Sequence, residues 1–284
     1  MTNILFEKYQ GNGNDFIIID SRDSKIYDDF LSKNLFNVKD LCNRNFGIGA
    51  DGIIFVINCT DSNDAKMIIY NSDGSEAEMC GNGIRCLIKY LVDTSVNNKK
   101  TFKIDTNAGI KIAEYKNGFI SVSMGEPILN PKLIPSIIQD YSKNIPYAFF
   151  KYDSFSSLGY AVGMGNPHLI FFVEDLEKIN HTKIGPSLEK SELFPEKTNV
   201  HFCEIINSET INVKVWERGA GATLACGTGA CAVHVAAYKL GLCEYQTTIN
   251  LPGGALFIEW NDNHKEVIMK GEAKRIFKGD FLIK

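Results

Sequence analysis

Two segments carry the same chemical pattern. One is Met79-Cys80-Gly81-Asn82-Gly83-Ile84-Arg85-Cys86, the other Ala225-Cys226-Gly227-Thr228-Gly229-Ala230-Cys231. Each reads Cys-Gly-polar-Gly and leads into an apolar helical stripe, and each half of the 284-residue chain holds one. The first turn of a helix has amide N–H groups without helical partners and the positive end of the macrodipole. A thiol there is expected to have its pKa lowered from about 8.5 toward neutrality. The glycines let backbone approach a ligand, and the free N–H groups suit a carboxylate. Two such starts on one substrate would put a sulfur on either side of the carbon next to its carboxylate. That arrangement suits inversion of a stereocentre: a thiolate takes the proton from one face while a thiol returns one to the other. Such a pair shares one proton and titrates as a unit. Dipoles aimed at the carboxylate would stabilise the carbanion.

The elements that must position these thiols repeat in order. In the first half, residues 15–20, 53–57 and 66–70 read as buried strands, with a helix over 35–44 ended by Gly47. The turn Asn71-Ser72-Asp73-Gly74 precedes the first cysteine motif. Ile84, Leu87, Ile88, Leu91 and Val92 then form the apolar stripe of a helix. In the second half, strands flank the turn Gly163 to His168, and residues 200–207 and 212–217 read as strands. A helix apolar nearly all round follows Cys226 and is closed by Gly241. Pro127, Pro131, Pro135 and Pro146 mark a crossing between the halves. The expected fold class is α+β, in two pseudo-symmetric domains, each a mainly antiparallel sheet wrapped around a central hydrophobic helix. The expected domains are 1–126, joined by 273–284, and 127–272.

Composition narrows the function. A net charge of −4 gives no basic footprint, which argues against nucleic acid as a partner. No apolar run approaches a membrane span, and no secretory signal is visible, so a cytoplasmic setting is expected. In that setting the eight cysteines are expected to be reduced. Cys86 and Cys231 read as packed thiols, and His181, His201, His234 and His264 as structural or surface groups. The run Gly47-Ile48-Gly49-Ala50-Asp51-Gly52 matches Gly-x-Gly-x-x-Gly. It follows a helix and opens a strand, the reverse of what a dinucleotide site needs.

At these residues the chain resembles the diaminopimelate epimerase family. The likeness covers essentially the whole chain, through Gly13-Asn14-Asp15-Phe16, Asn71 to Glu76, both cysteine motifs, Met164 to His168, Thr198-Asn199-Val200, Glu217-Arg218-Gly219-Ala220-Gly221 and Leu251-Pro252-Gly253-Gly254. The resemblance implies interconversion of LL- and meso-2,6-diaminoheptanedioate with no cofactor and no metal. It implies Cys80 and Cys226 as the acid–base thiols, with His168 and Glu217 tuning their protonation. Gly81, Asn82, Gly227 and Thr228 would hold the reacting carboxylate through backbone N–H groups. Asn14, Asn71, Asn166, Asn199, Glu217 and Arg218 would line the rest of the substrate pocket. Members are commonly homodimers, and Phe277 would stand at the dimer contact, where the family often has Tyr.

Two alternatives remain. A proline or hydroxyproline racemase-like enzyme would keep the fold, but its first motif has His after Cys-Gly, where this chain has Asn82. A non-catalytic amino-acid-binding or redox-sensing protein would use the two thiols as a disulfide switch.

Overall fold

The computed structural model describes residues 2–59, 62–95, 99–153 and 155–283. The chain divides into two compact units, Met1–Val122 with Gly271–Lys284, and Ser123–Lys270.

In the first unit, β1 (Thr2–Gly11) and β2 (Asn14–Asp20) form a hairpin, followed by the short helices α1 (Ile26–Lys33) and α2 (Val38–Cys42). Then come β3 (Gly52–Ile57), β4 (Ala65–Asn71), β5 (Glu76–Ala77), α3 (Gly81–Thr94), β6 (Thr101–Asp105), β7 (Lys111–Lys116) and β8 (Phe119–Ser123). The last strand of the chain, β19 (Lys274–Ile283), pairs antiparallel with β1. The β2/β3 and β4/β6 steps are parallel; β1/β2, β3/β4, β6/β7 and β7/β8 are antiparallel.

In the second unit the strands are β9 (Asp140–Ser142), β10 (Ile145–Tyr152), β11 (Phe155–Gly163), β12 (Pro167–Phe172), β13 (Asn199–Asn207), β14 (Thr210–Glu217), β15 (Gly221–Ala222), β16 (Gln246–Leu251), β17 (Gly254–Glu259) and β18 (Ile268–Gly271). Helix α4 (His181–Glu189) lies between β12 and β13, and α5 (Gly227–Leu240) between β15 and β16. Here the parallel steps are β12/β13 and β14/β16, and β11/β12, β13/β14, β16/β17 and β17/β18 are antiparallel. The pairing order therefore matches that of the first unit strand for strand, with α3 and α5 at equivalent places. Two mainly antiparallel sets of strands, each around one helix, are what the sequence pattern called for.

Burial explains the apolar strands. In β3 every second residue, Ile53 and Phe55, joins a core with Ile4, Ile17, Ile19 and Val38, against which the aromatics Tyr27, Phe30 and Phe36 pack. Residues of opposite parity face the helix: a Cβ on Gly83 of α3 would meet Ile54 and Ile69. Strands covered on both faces read as continuous hydrophobic runs, as 53–57 does. Helix α3 packs against β1, β2, β3, β4, β7 and β19 with Ile84, Leu87, Ile88 and Leu91 buried; α5 packs against β11, β12, β13, β16 and β17. No helix among the described residues is long and apolar enough to cross a membrane.

Candidate active site

In each unit the predicted residues gather where β2/β3/β4, or β12/β13/β14, meet the start of the central helix. In the first unit Cys80 is the N-cap of α3, in extended conformation, and its Sγ accepts from the Gly83 N–H at 3.4 Å. The Cys80 thiol approaches Asn14 Oδ1 at 3.7 Å, and Asn82 Nδ2 donates to the same oxygen at 3.2 Å. Asn14 Nδ2 donates to Asp51 Oδ2 at 2.8 Å. Asn14, Cys80 and Asn82 are thus one network, with Gly81 the first residue of the helix. Asn71 is exposed and closes the turn itself: its Nδ2 donates to Ser75 Oγ at 3.0 Å, and its carbonyl accepts from Gly74 N–H.

Behind this network lies a residue the sequence reading did not single out. Arg85 is fully buried, although it sits in a helix. It donates to Asn82 Oδ1 at 2.9 Å, Asn12 Oδ1 at 2.6 Å and Gly81 O at 3.2 Å. A second ionic cluster supports Asn14. Lys8 pairs with Asp15 at 2.9 Å, and Arg44 bridges Asp15 and Asp51. Burial pushes the Asp15 carboxyl up, but Arg44 and Lys8 outweigh it and hold it at about 2.

In the second unit Cys226 caps α5 in the same extended conformation. It lies 3.5 Å from Thr228 Oγ1 and is in hydrogen-bond contact with Glu217. The Gly229 N–H falls short of a capping bond, yet still favours the thiolate electrostatically. Gly227 opens the helix. The expected lowering of the thiol pKa does not hold at Cys226. Burial pushes it well above the ordinary value, and the Glu217 carboxylate adds to the rise, outweighing Thr228 and Gly229. The sequence rule counts the helix terminus, but Cys226 is only 4 % exposed and has an anion beside it.

Glu217 therefore faces the Cys226 thiol. Its Oε1 also accepts from Thr223 Oγ1 at 2.5 Å. His168 behaves differently: it is fully buried, and burial first, then His201 and Arg218, hold its pKa well below the ordinary value. The ring is neutral and lends no charge to a sulfur. Its Nε2 lies 2.8 Å from Asn166 Oδ1 and its Nδ1 lies 2.9 Å from His201 Nε2. Asn199 is 3 % exposed, with Nδ2 donating to Pro167 O at 2.9 Å and Oδ1 accepting from Arg218 N–H at 3.0 Å. Arg218 is exposed, and its Nη1 donates to Glu196 O at 3.0 Å. Phe277, on β19, is 44 % exposed and packs edge-on against Phe6.

His201 is the second residue missed. Expected to be structural or superficial, it is fully buried beside His168. The available signal was its i, i+2 relation to Asn199, which places both on one face of β13. All eight cysteines are free thiols, and Cys86 and Cys231 are buried as expected. Among the described residues, no group of three or more His, Cys, Asp or Glu is placed to hold a metal ion.

With this geometry in hand, comparison with known proteins gives a family. A family model described as diaminopimelate epimerase matches residues 6–130 and 160–276. The chain belongs to the diaminopimelate epimerase family. A diaminopimelate epimerase of Prochlorococcus marinus (strain NATL1A) is 49 % identical over 278 residues, covering 97 % of this chain and 98 % of the relative. That of Synechocystis sp. is 43 % identical over 277 residues, with 97 % and 98 % covered. Among solved structures, a hydroxyproline epimerase from Agrobacterium vitis superposes with a TM-score of 0.69 at 11 % identity, covering 98 % of this chain and 92 % of that one. At that identity the likeness speaks for the fold alone.

Proposed function

We propose that this protein epimerises LL-2,6-diaminoheptanedioate to the meso form, without a cofactor, in lysine and peptidoglycan-precursor biosynthesis. The observation that carries the reading is the matched pair of helix starts, each with a cysteine at the N-cap and a glycine-rich first turn, in a chain 49 % identical to a named epimerase over nearly its full length. In the proposed reaction Cys80 and Cys226 act as acid and base. One sulfur takes the proton at the α-carbon as thiolate, and the other delivers a proton to the opposite face as thiol. The next proton transfer runs the other way, so atoms and charge balance over the pair. Backbone N–H groups at Gly81, Asn82, Gly227 and Thr228 stabilise the carboxylate as charge grows on it. The Arg218 fork suits the distal carboxylate, and the amides of Asn14, Asn71 and Asn166 suit the remaining charged groups. Asn199, with its amide bonded within the protein, orients Arg218. A homodimer through the β19 face bearing Phe277, in the cytoplasm, completes the proposal.

One reaction tests it. Reduced, chelator-treated protein is incubated with LL-diaminopimelate in deuterated water, and the stereoisomers are resolved by mass. Early meso product with one solvent deuteron, beside largely unlabelled LL substrate, is expected. Folded, reduced protein that forms no meso product would overturn the assignment and direct the search to proline-type substrates.

A further inference from the structure

The four residues Asn166, His168, His201 and Gly229 form a continuous stack with a defined hydrogen-bond direction. His168 Nε2 faces Asn166 Oδ1, which can only accept, so the proton is on Nε2. His168 is neutral, so its Nδ1 is an acceptor and requires a donor. The group facing it at 2.9 Å is His201 Nε2, which must therefore carry its own proton. His201 is held neutral by burial, its pKa near 3, so its remaining nitrogen, Nδ1, bears a lone pair. That Nδ1 is buried and has no hydrogen-bond partner among the described residues. An orphaned acceptor is the cheaper of the two possible mismatches, since buried N–H groups are rarely left unpaired. The opposite tautomers would leave a buried N–H orphaned and set two lone pairs against each other at the His168–Asn166 contact.

The stack is also anchored at its far end. A Cβ on Gly229 would lie 2.2 Å from His201 Cε1, so the imidazole lies directly against the first turn of α5, the turn that begins at Cys226.

We infer that His201 is a positioning residue: through His168 it fixes the Asn166 carboxamide with Oδ1 turned inward, leaving the Nδ2 donors for a substrate oxygen. The inference rests on the proposed epimerase reading for the statement that Asn166 meets substrate. It goes further in assigning Asn166 to a carboxylate rather than to an ammonium, because with Oδ1 turned onto His168 the amide presents its Nδ2 donors to the substrate. Without the His201 donor, the His168 ring can reverse its tautomer and present a lone pair to Asn166, which would turn the amide over.

Two measurements on the full chain test this. Nitrogen-15 NMR of histidine-labelled protein at neutral pH should show both His168 and His201 as Nε2–H tautomers. An Nδ1–H tautomer at either ring overturns the inference, whatever the activity of the protein. Kinetics with LL-diaminopimelate then separate positioning from packing. His201→Gln keeps an N–H donor and should hold KM within about threefold of the original, whereas His201→Met removes it and should raise KM about tenfold, the effect of one hydrogen bond. The rise in KM should exceed any fall in kcat. If both variants lose thermal stability but share one KM, His201 merely fills space and the inference fails. If His201→Met does not fold, the tautomers of the unaltered protein decide. Lack of turnover by the unaltered protein would count against the epimerase reading while leaving the tautomer result intact.

Discussion

At Cys226 burial and a neighbouring carboxylate act together, and a helix terminus opposes them and loses. A raised thiol pKa means that the neutral form dominates well past the ordinary thiol range. Alkylation of Cys226 by iodoacetamide, followed by peptide mass, should therefore still be rising with pH above 9. Removing the anion favours thiolate, so Glu217→Gln should move that curve to lower pH; coincident curves would show that Glu217 does not act on the sulfur. In the first unit the corresponding weight falls on a cation. Arg85→Met would remove the guanidinium's bonds to Asn82 Oδ1, Asn12 Oδ1 and Gly81 O. Loss of about 3 kcal/mol in urea unfolding is expected, since a hydrogen bond to a charged group contributes about 1.5–3 kcal/mol. Arg85→Lys should recover only part, because it keeps the charge but not the planar fork. The two cysteine motifs were legible in the sequence because their chemistry is local. Arg85 and His201 were not, because a lone Arg in a helix or His in a strand gains meaning only from partners such as Asn12, or His168 on the next strand.

At the scale of elements, the turns that matter are tight because glycine lets side chains come in. Gly229→Ala would drive a methyl into the His201 ring, so the first turn of α5 must shift. Such overpacking costs about 1–3 kcal/mol. It should also displace the Gly227 and Thr228 N–H groups and lower kcat. Adding His201→Ala should return part of the lost stability, a coupling that thermal melts of both single variants and the double would measure. Additive losses would mean that the two residues do not press on each other. Element identity was readable wherever the apolar period was clear, as in β2, β3, β4, α3 and α5. Helix α4 was not foreseen, because Pro186 inside it breaks the usual helical signal. Helix α2 is shorter than the expected 35–44, as only Val38–Cys42 is helical. Gly47 packs onto the backbone of Asp40 and Leu41 instead of closing a longer helix.

For the whole molecule, the chain's two ends share one sheet: β1 and β19 pair along nearly their full length, and Phe281 and Ile283 pack on the first unit's core. No local pattern announces the register of a partner some 270 residues away, although 273–284 was expected to join the first domain, whereas the repeated element order in each half was plain. The interior also sets the response to acid. His168, His201 and His234 are fully buried and neutral, with His201 held near pKa 3 and His234 near 4, chiefly by burial. In the unfolded chain each imidazole takes up a proton near pH 6.5. The folded state refuses that proton until far lower pH, so the unfolded state binds more protons and stability falls as pH drops below 6.5. Each group contributes up to about 1.4 kcal/mol per pH unit across that window. Asp15, held near 2, adds its own loss only below about pH 4, where the unfolded carboxyl protonates and the folded one does not. Urea unfolding should therefore give stability nearly flat from pH 8 to 7 and falling steeply from 6.5 to 4.5. His234→Gln removes one of the three protons and should shallow the acid limb by about a third; an unchanged slope would show that His234 is not kept neutral by the fold.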